Sequence, residues 1–95
     1  MKHFVIRATD KLGALQVRLD NRDDHVAYLK SHSDQIIAAG PILSETDEAM
    51  IGSVLIMAFE NRGAAQKFCS NDPYQKAGLF DNVDITLWKK VFPAD

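Results

Sequence analysis

The 95-residue sequence predicts one α+β domain with the element order β-α-β-β-α-β. Three observations carry this. Short β-branched and aromatic runs recur along the chain, segments of helical period lie between them, and Gly, Pro, Asn and Asp fall at the joints. No repeat, linker or low-complexity segment divides the chain, so residues 1–95 read as a single domain.

His3 to Thr9 (HFVIRAT) is the first strand, broken by the stretch from Asp10 to Gly13. A helical period then runs from Ala14 to about Ala38. Its apolar stripe is Leu15, Leu19, Val26, Leu29, Ile36 and Ile37, and Gly40-Pro41 stops it. Ile42 to Glu45 reads as a short strand and Thr46 to Ala49 as a polar loop. Gly52 to Glu60 (GSVLIMAFE) is a strong strand. Asn61 is a good N-cap for a helix to about Ser70, with Ala64, Ala65 and Phe68 facing inward. Asp72 caps a short further helix that has Pro73 at its first position and Gly78 at its end. Val83 to Phe92 is the last strand. This order is the split βαβ, or ferredoxin-like, pattern, with an antiparallel four-stranded sheet.

Two crossover helices cover only one face of such a sheet. Yet both alternating sets of the central strand are apolar: Val54, Ile56 and Ala58 on one, Leu55, Met57 and Phe59 on the other. Strands apolar on both faces are buried on both, so the bare face calls for a partner, and a second copy of the sheet is the simplest one. Size points the same way. A domain this small needs disulfides, a metal or a partner chain. Cys69 is the only cysteine, which excludes an internal disulfide and fits a reducing, cytoplasmic compartment. Its apolar helical setting reads as core filler. No Cys/His cluster has zinc spacing, so no metal is expected. The net charge of −2, with scattered basic residues, argues against nucleic acid as a partner. No apolar run is long enough to span a membrane, and the N-terminus lacks the features of a signal peptide.

A few residues carry possible chemistry. Arg22 falls inside the apolar stripe of the first helix, where a charge must be paired or aimed into a cavity. A structural ion pair and a substrate-anion role both fit. His25, one turn on, borders the stripe. It is either a satisfied structural histidine or a proton exchanger near neutral pH. His32 reads as a surface residue, and nothing distinguishes His3. Asp72 is accounted for as an N-cap, but a capping Asp keeps a second oxygen free to orient a histidine. Tyr74 beside it adds a ring and a hydroxyl. Gly52 permits close approach of a backbone or a ligand. Ser53 is a ligand donor or simply a strand-start hydroxyl. The sequence has no phosphate-loop, nucleophile-elbow or zinc-protease motif.

Taken together, Arg22-x-x-His25, Ala39-Gly40-Pro41, Gly52-Ser53 leading to Phe59-Glu60, Asn71-Asp72-Pro73-Tyr74, Ala77-Gly78-Leu79-Phe80 and the ending Lys89-Lys90-Val91-Phe92 resemble the YciI-like family, also called YCII-related or DGPF-type domains. The resemblance spans essentially the whole chain. It implies a dimeric α+β barrel built from two ferredoxin-like units. It also implies an active site around a His–Asp pair, which falls here on His25 and Asp72, with Arg22, Ser53 and Tyr74 matching positions nearby. A characterised relative removes chloride from a chlorinated hydroxyquinol. Others of the wider superfamily are isomerases, decarboxylases and cofactor-free oxygenases.

The expectation is therefore a small cofactor-free enzyme. His25, held by Asp72, would act as general base or acid on a small cyclic or aromatic oxygenated compound, with elimination or isomerisation as the outcome. The alternative is a non-catalytic dimeric module that binds a small metabolite or serves as an accessory subunit.

Overall fold

The computed structural model describes residues 1–94. Strand β1 (Lys2–Asp10) leads into helix α1 (Leu15–Lys30), then β2 (Ile36–Leu43), β3 (Met50–Phe59), α2 (Arg62–Ser70), the short α3 (Pro73–Lys76) and β4 (Phe80–Trp88). The four strands form one antiparallel sheet in the order β2-β3-β1-β4. This is the ferredoxin-like arrangement, with the helices on one face.

The core lies under those helices. Phe4 and Ile6 of β1 meet Leu55, Met57 and Phe59 of β3 and Ala65 and Phe68 of α2. Phe59 sits 5.5 Å from Phe68 and 6.3 Å from Phe4, centroid to centroid. The helices begin where the sequence predicts. Asn61 Oδ1 accepts from the Ala64 N–H at 2.9 Å, and Asp72 Oδ1 from the Tyr74 N–H at 2.9 Å. Gly78, with φ of 76°, ends the α3 segment in the left-handed region.

Three expectations change. First, α1 stops at Lys30, not near Ala38. The Ser31 hydroxyl donates to the Tyr28 carbonyl at 2.6 Å and His32 Nδ1 to the same oxygen at 2.9 Å, diverting it from the helical ladder. After a 3₁₀ turn at Ser33–Gln35, Ile36 and Ile37 belong to β2. Gly40-Pro41 is therefore not a helix stop but part of a sheet-edge strand, where a residue without an N–H is tolerated.

Second, the buried side of α1 is turned roughly a quarter turn from the apolar stripe, at 100° per residue. Arg18 and His25 are its buried residues, whereas Leu15 and Leu19 are 42% and 46% exposed. Third, β4 begins at Phe80 and ends at Trp88, so Lys89 to Phe92 lie outside it.

The helix-free face carries Val5, Val54, Ile56 and Ala58, all half-buried in the single chain. Gly52 allows β1 and β3 to close: a Cβ built there would lie 2.5 Å from the Ala8 carbonyl oxygen. That contact is with backbone, which cannot swing aside. Gly52→Ala is expected to destabilise the fold by about 1–3 kcal/mol, the usual cost of overpacking. Urea unfolding with an unchanged midpoint would show that the strands have room after all.

Candidate active site

Helix α1 and the strand pair β2–β3 stand apart by a cavity of about 190 Å³. From α1 come Arg18, Arg22, His25, Val26 and Leu29. Ala39 to Pro41, Met50 and Ser53 to Leu55 come from the sheet, and Tyr74 from α3. The lining is mostly apolar with a few convergent polar groups, the usual composition of a small-molecule site.

The polar groups are tightly arranged. His25 Nδ1 lies 2.8 Å from Asp72 Oδ1, the oxygen that also caps α3. One oxygen thus does both tasks that the sequence assigned to two. An ionised carboxylate only accepts, so Nδ1 carries the hydrogen and Nε2 of the neutral ring keeps a lone pair. Both residues are buried, His25 at 7% exposure and Asp72 at 3%. The Tyr74 ring stacks on the imidazole, centroids 3.9 Å apart and planes 13° from parallel. The Arg18 guanidinium lies 4.7 Å from the centroid of the same ring. Burial raises the pKa of the Tyr74 hydroxyl above the ordinary phenol value, Arg18 and Arg22 oppose the shift, and Asp72 adds to it.

Arg22 was the arginine expected to be buried and paired. Instead it is exposed, makes no ion pair among the described residues, and contributes to the cavity wall. The buried, paired arginine is Arg18, one turn earlier. Its Nε and Nη2 each donate to Asp10 at 2.8 Å, a two-pronged pair, and Nη2 also donates to Ser53 Oγ at 3.0 Å. Burial works against its charge, but the hydrogen bonds and charge of Asp10 outweigh that and its pKa is raised. The reason for the exchange is positional. Asp10 ends β1, and the tight turn at Gly13, with φ of 73°, returns the chain so that Arg18 faces it. The signal available in the sequence was an acid closing a strand and a base early in the next helix, on either side of that glycine.

The other histidines and the thiol lie outside the cavity. His32 is half-buried at the end of α1, edge-on to Phe68 at 5.0 Å, rather than a plain surface residue. His3 tilts against Trp88 at 6.3 Å. Cys69 packs against the core, and its thiol is pushed up to about 11 by burial first and the Asp72 charge second, which leaves it unreactive near neutral pH. No group of three or more His, Cys, Asp or Glu side chains among the described residues is placed to hold a metal ion. Among the described residues no helix is long and apolar enough to cross a membrane.

The pairing of His25 with a carboxylate predicts its tautomer. Nitrogen-15 spectra of the neutral ring should show the hydrogen on Nδ1. A ring protonated mainly on Nε2 would mean that the contact with Asp72 is absent in solution.

Known proteins resemble this chain to different depths. Protein YciI of Escherichia coli is 36% identical over 96 residues, covering 94% of this chain and 98% of its own. The solved structure of 5-chloro-2-hydroxyhydroquinone dehydrochlorinase from Burkholderia phenoliruptrix AC1100, in complex with 2,5-dihydroxybenzoquinone, is 40% identical. It superposes with a TM-score of 0.88 over 92% of this chain and 93% of that one. An antibiotic biosynthesis monooxygenase, 14% identical with a TM-score of 0.56 over 96% of this chain and 99% of its own, shares the fold alone. The fold is that of the dimeric α+β barrel proteins. The YCII-related domain matches residues 1–89.

Proposed function

This chain belongs to the YCII-related domain family, and from that premise we propose that it is a small acid–base enzyme acting on a single oxygenated ring. The observation that carries the reading is the 2.8 Å contact of His25 Nδ1 with Asp72 at the wall of the cavity. Asp72 holds the ring in one tautomer, and Nε2 is the atom left to exchange a proton with a ligand. The cavity suits one ring with small substituents. It measures about 190 Å³, and an apolar cavity of about 150 Å³ takes up benzene. Val26, Leu29, Pro41 and Leu55 offer apolar wall, while Arg22, Ser53 and Tyr74 offer polar contacts for ring oxygens.

The reaction class is proton transfer followed by isomerisation or elimination. His25 takes a proton from a ring hydroxyl and the electron pair moves into the ring. A carbon that bears a halide then takes up a proton. When a second hydroxyl proton is removed, chloride leaves with its bonding pair, and the net loss is HCl. That sequence is redox-neutral and needs only a base and a place for negative charge, so it calls for no cofactor. The 40% identity to an enzyme that dehydrochlorinates a hydroxyquinol supports a halogenated or hydroxylated aromatic as substrate.

The working form in this reading is a homodimer in the cytoplasm. Val5, Val54, Ile56 and Ala58 form an apolar strip on the helix-free face that a second copy would cover. A single unpaired cysteine suits a reducing compartment. Light scattering at micromolar concentration should give twice 10.6 kDa, and a stable monomer would remove the dimer from the reading.

The mechanism is tested by turnover of chlorinated hydroxyquinols. His25→Ala should lower kcat/KM by roughly 10²–10⁴-fold, the worth of one general base, assayed below the lowered melting temperature that loss of the buried Asp72 contact brings. Asp72→Asn keeps the helix cap and should cost less. Full activity in His25→Ala would leave a metabolite-binding module as the better description.

A further inference from the structure

We propose that the Ser53 hydroxyl, backed by Arg18 and Asp10, is the oxyanion-binding donor of the cavity, built for the phenolate or enolate oxygen of a ring ligand. The inference rests on the acid–base reading of the cavity and names where the negative charge goes.

The case begins with hydrogen-bond directions. A guanidinium has donors and no acceptor. In the 3.0 Å contact of Arg18 Nη2 with Ser53 Oγ, the serine oxygen therefore accepts. Its own hydrogen is left over, and it donates to no other described residue. Ser53 is only 4% exposed, yet it lines the cavity opposite the α1 wall that carries His25. The hydroxyl hydrogen thus has the cavity as its available direction. A hydroxyl that accepts from a cation is a stronger donor in turn, because the two bonds polarise each other.

The support behind Ser53 is fixed. Asp10 takes Arg18 by two bonds of 2.8 Å, so the second hydrogen of Nη2 is aimed rather than free to wander. Ser53 pairs with Ala8 of β1, two residues before Asp10, and the absent side chain of Gly52 draws the two strands together at that point. Serine, arginine and aspartate are thereby set on adjoining rigid elements, the condition for a preorganised donor. Asp10 also balances the charge of Arg18. Arg18 and Asp10 are positioning residues, and of these three Ser53 is the one that touches the ligand. In the proton-transfer step His25 takes the proton of a ring hydroxyl, the negative charge left on that oxygen is shared with the ring, and Ser53 keeps its own hydrogen while donating to the charged oxygen.

The test measures binding rather than turnover, so it is independent of whether His25 is the base. The probes are 4-nitrophenolate, followed by its absorbance, and nitrobenzene as a neutral ring of similar size. Wild-type protein should bind the phenolate. Ser53→Ala should weaken it roughly 10- to 100-fold, the loss of one hydrogen bond to a charged oxygen, and leave nitrobenzene within about threefold. Arg18→Met should lower the preference for phenolate over nitrobenzene in the same direction. If Ser53→Ala does not fold, Ser53→Cys supplies a weaker donor of similar shape and should bind phenolate less tightly than wild type while keeping nitrobenzene within about threefold. The subsite is overturned if wild-type protein does not bind phenolate, if Ser53→Ala binds it as tightly as wild type, or if both ligands are lost equally. His25→Ala that loses turnover beside a Ser53→Ala that keeps phenolate affinity would sink this subsite and spare the base. The opposite pattern would sink the base and spare the subsite.

Discussion

Asp72 Oδ1 accepts hydrogen bonds from two helices at once. The Tyr74 N–H of α3 and the imidazole of α1 meet on the same atom, at 2.9 and 2.8 Å. The first bond sets the start of α3 and so delivers the Tyr74 ring to the imidazole face. The second fixes the rotation of α1 about its axis, because a histidine on any other side of the helix would not reach. The orientation of α1, the tautomer of His25 and the placement of Tyr74 therefore share one cause. A carboxylate is well suited to this, since charge-assisted bonds are stronger and shorter than neutral ones.

The two halves of the helical layer are held in different ways. Under α2 the packing is aromatic and aliphatic, with Phe4, Met57, Phe59 and Phe68 in one cluster. Helix α1 is held by polar bonds, Arg18 to Asp10 near its start and His25 to Asp72 past its middle. Buried ion pairs add little net stability over apolar packing, but losing one partner typically costs about 3–5 kcal/mol. A helix fastened this way need not settle onto the sheet, and the space between α1 and β2–β3 remains as the cavity. The flank that would have packed there, with Leu15 and Leu19, stays exposed. Polar fastening and the existence of a pocket are thus two sides of one arrangement.

That arrangement explains why Arg22 and Arg18 exchanged roles. Hydrophobic periodicity identifies the side of a helix that is apolar, and it locates the buried side only when burial is apolar. In α1 the buried side is defined by partners distant along the chain, Asp10 and Asp72, so the stripe of leucines misled by about a quarter turn. The early end of α1 has a similar source. Ile36 and Ile37 continue the period of the stripe, but Ser31 and His32 divert the Tyr28 carbonyl, and the two isoleucines pass into an edge strand.

What the sequence determined by itself was whatever depends on near neighbours. Alternation and β-branching marked β1, β3 and β4 from Val83 onward. Asn61 and Asp72-Pro73 marked two helix starts, because a cap acts within one turn. The two-sided apolar character of β3 was legible for the same reason. The family motifs pointed to Arg22, His25, Asp72, Ser53 and Tyr74, all of which border or support the cavity between α1 and β2–β3. Tertiary structure decided the rest: which arginine is buried, which oxygen of Asp72 holds the histidine, and that Ser53 accepts from Arg18 and so keeps a hydrogen to donate. Each of these is a hydrogen bond between residues brought together by folding, 8, 47 and 35 positions apart. Local propensity carries no information on such pairs, because their geometry exists only once the strands and helices have docked.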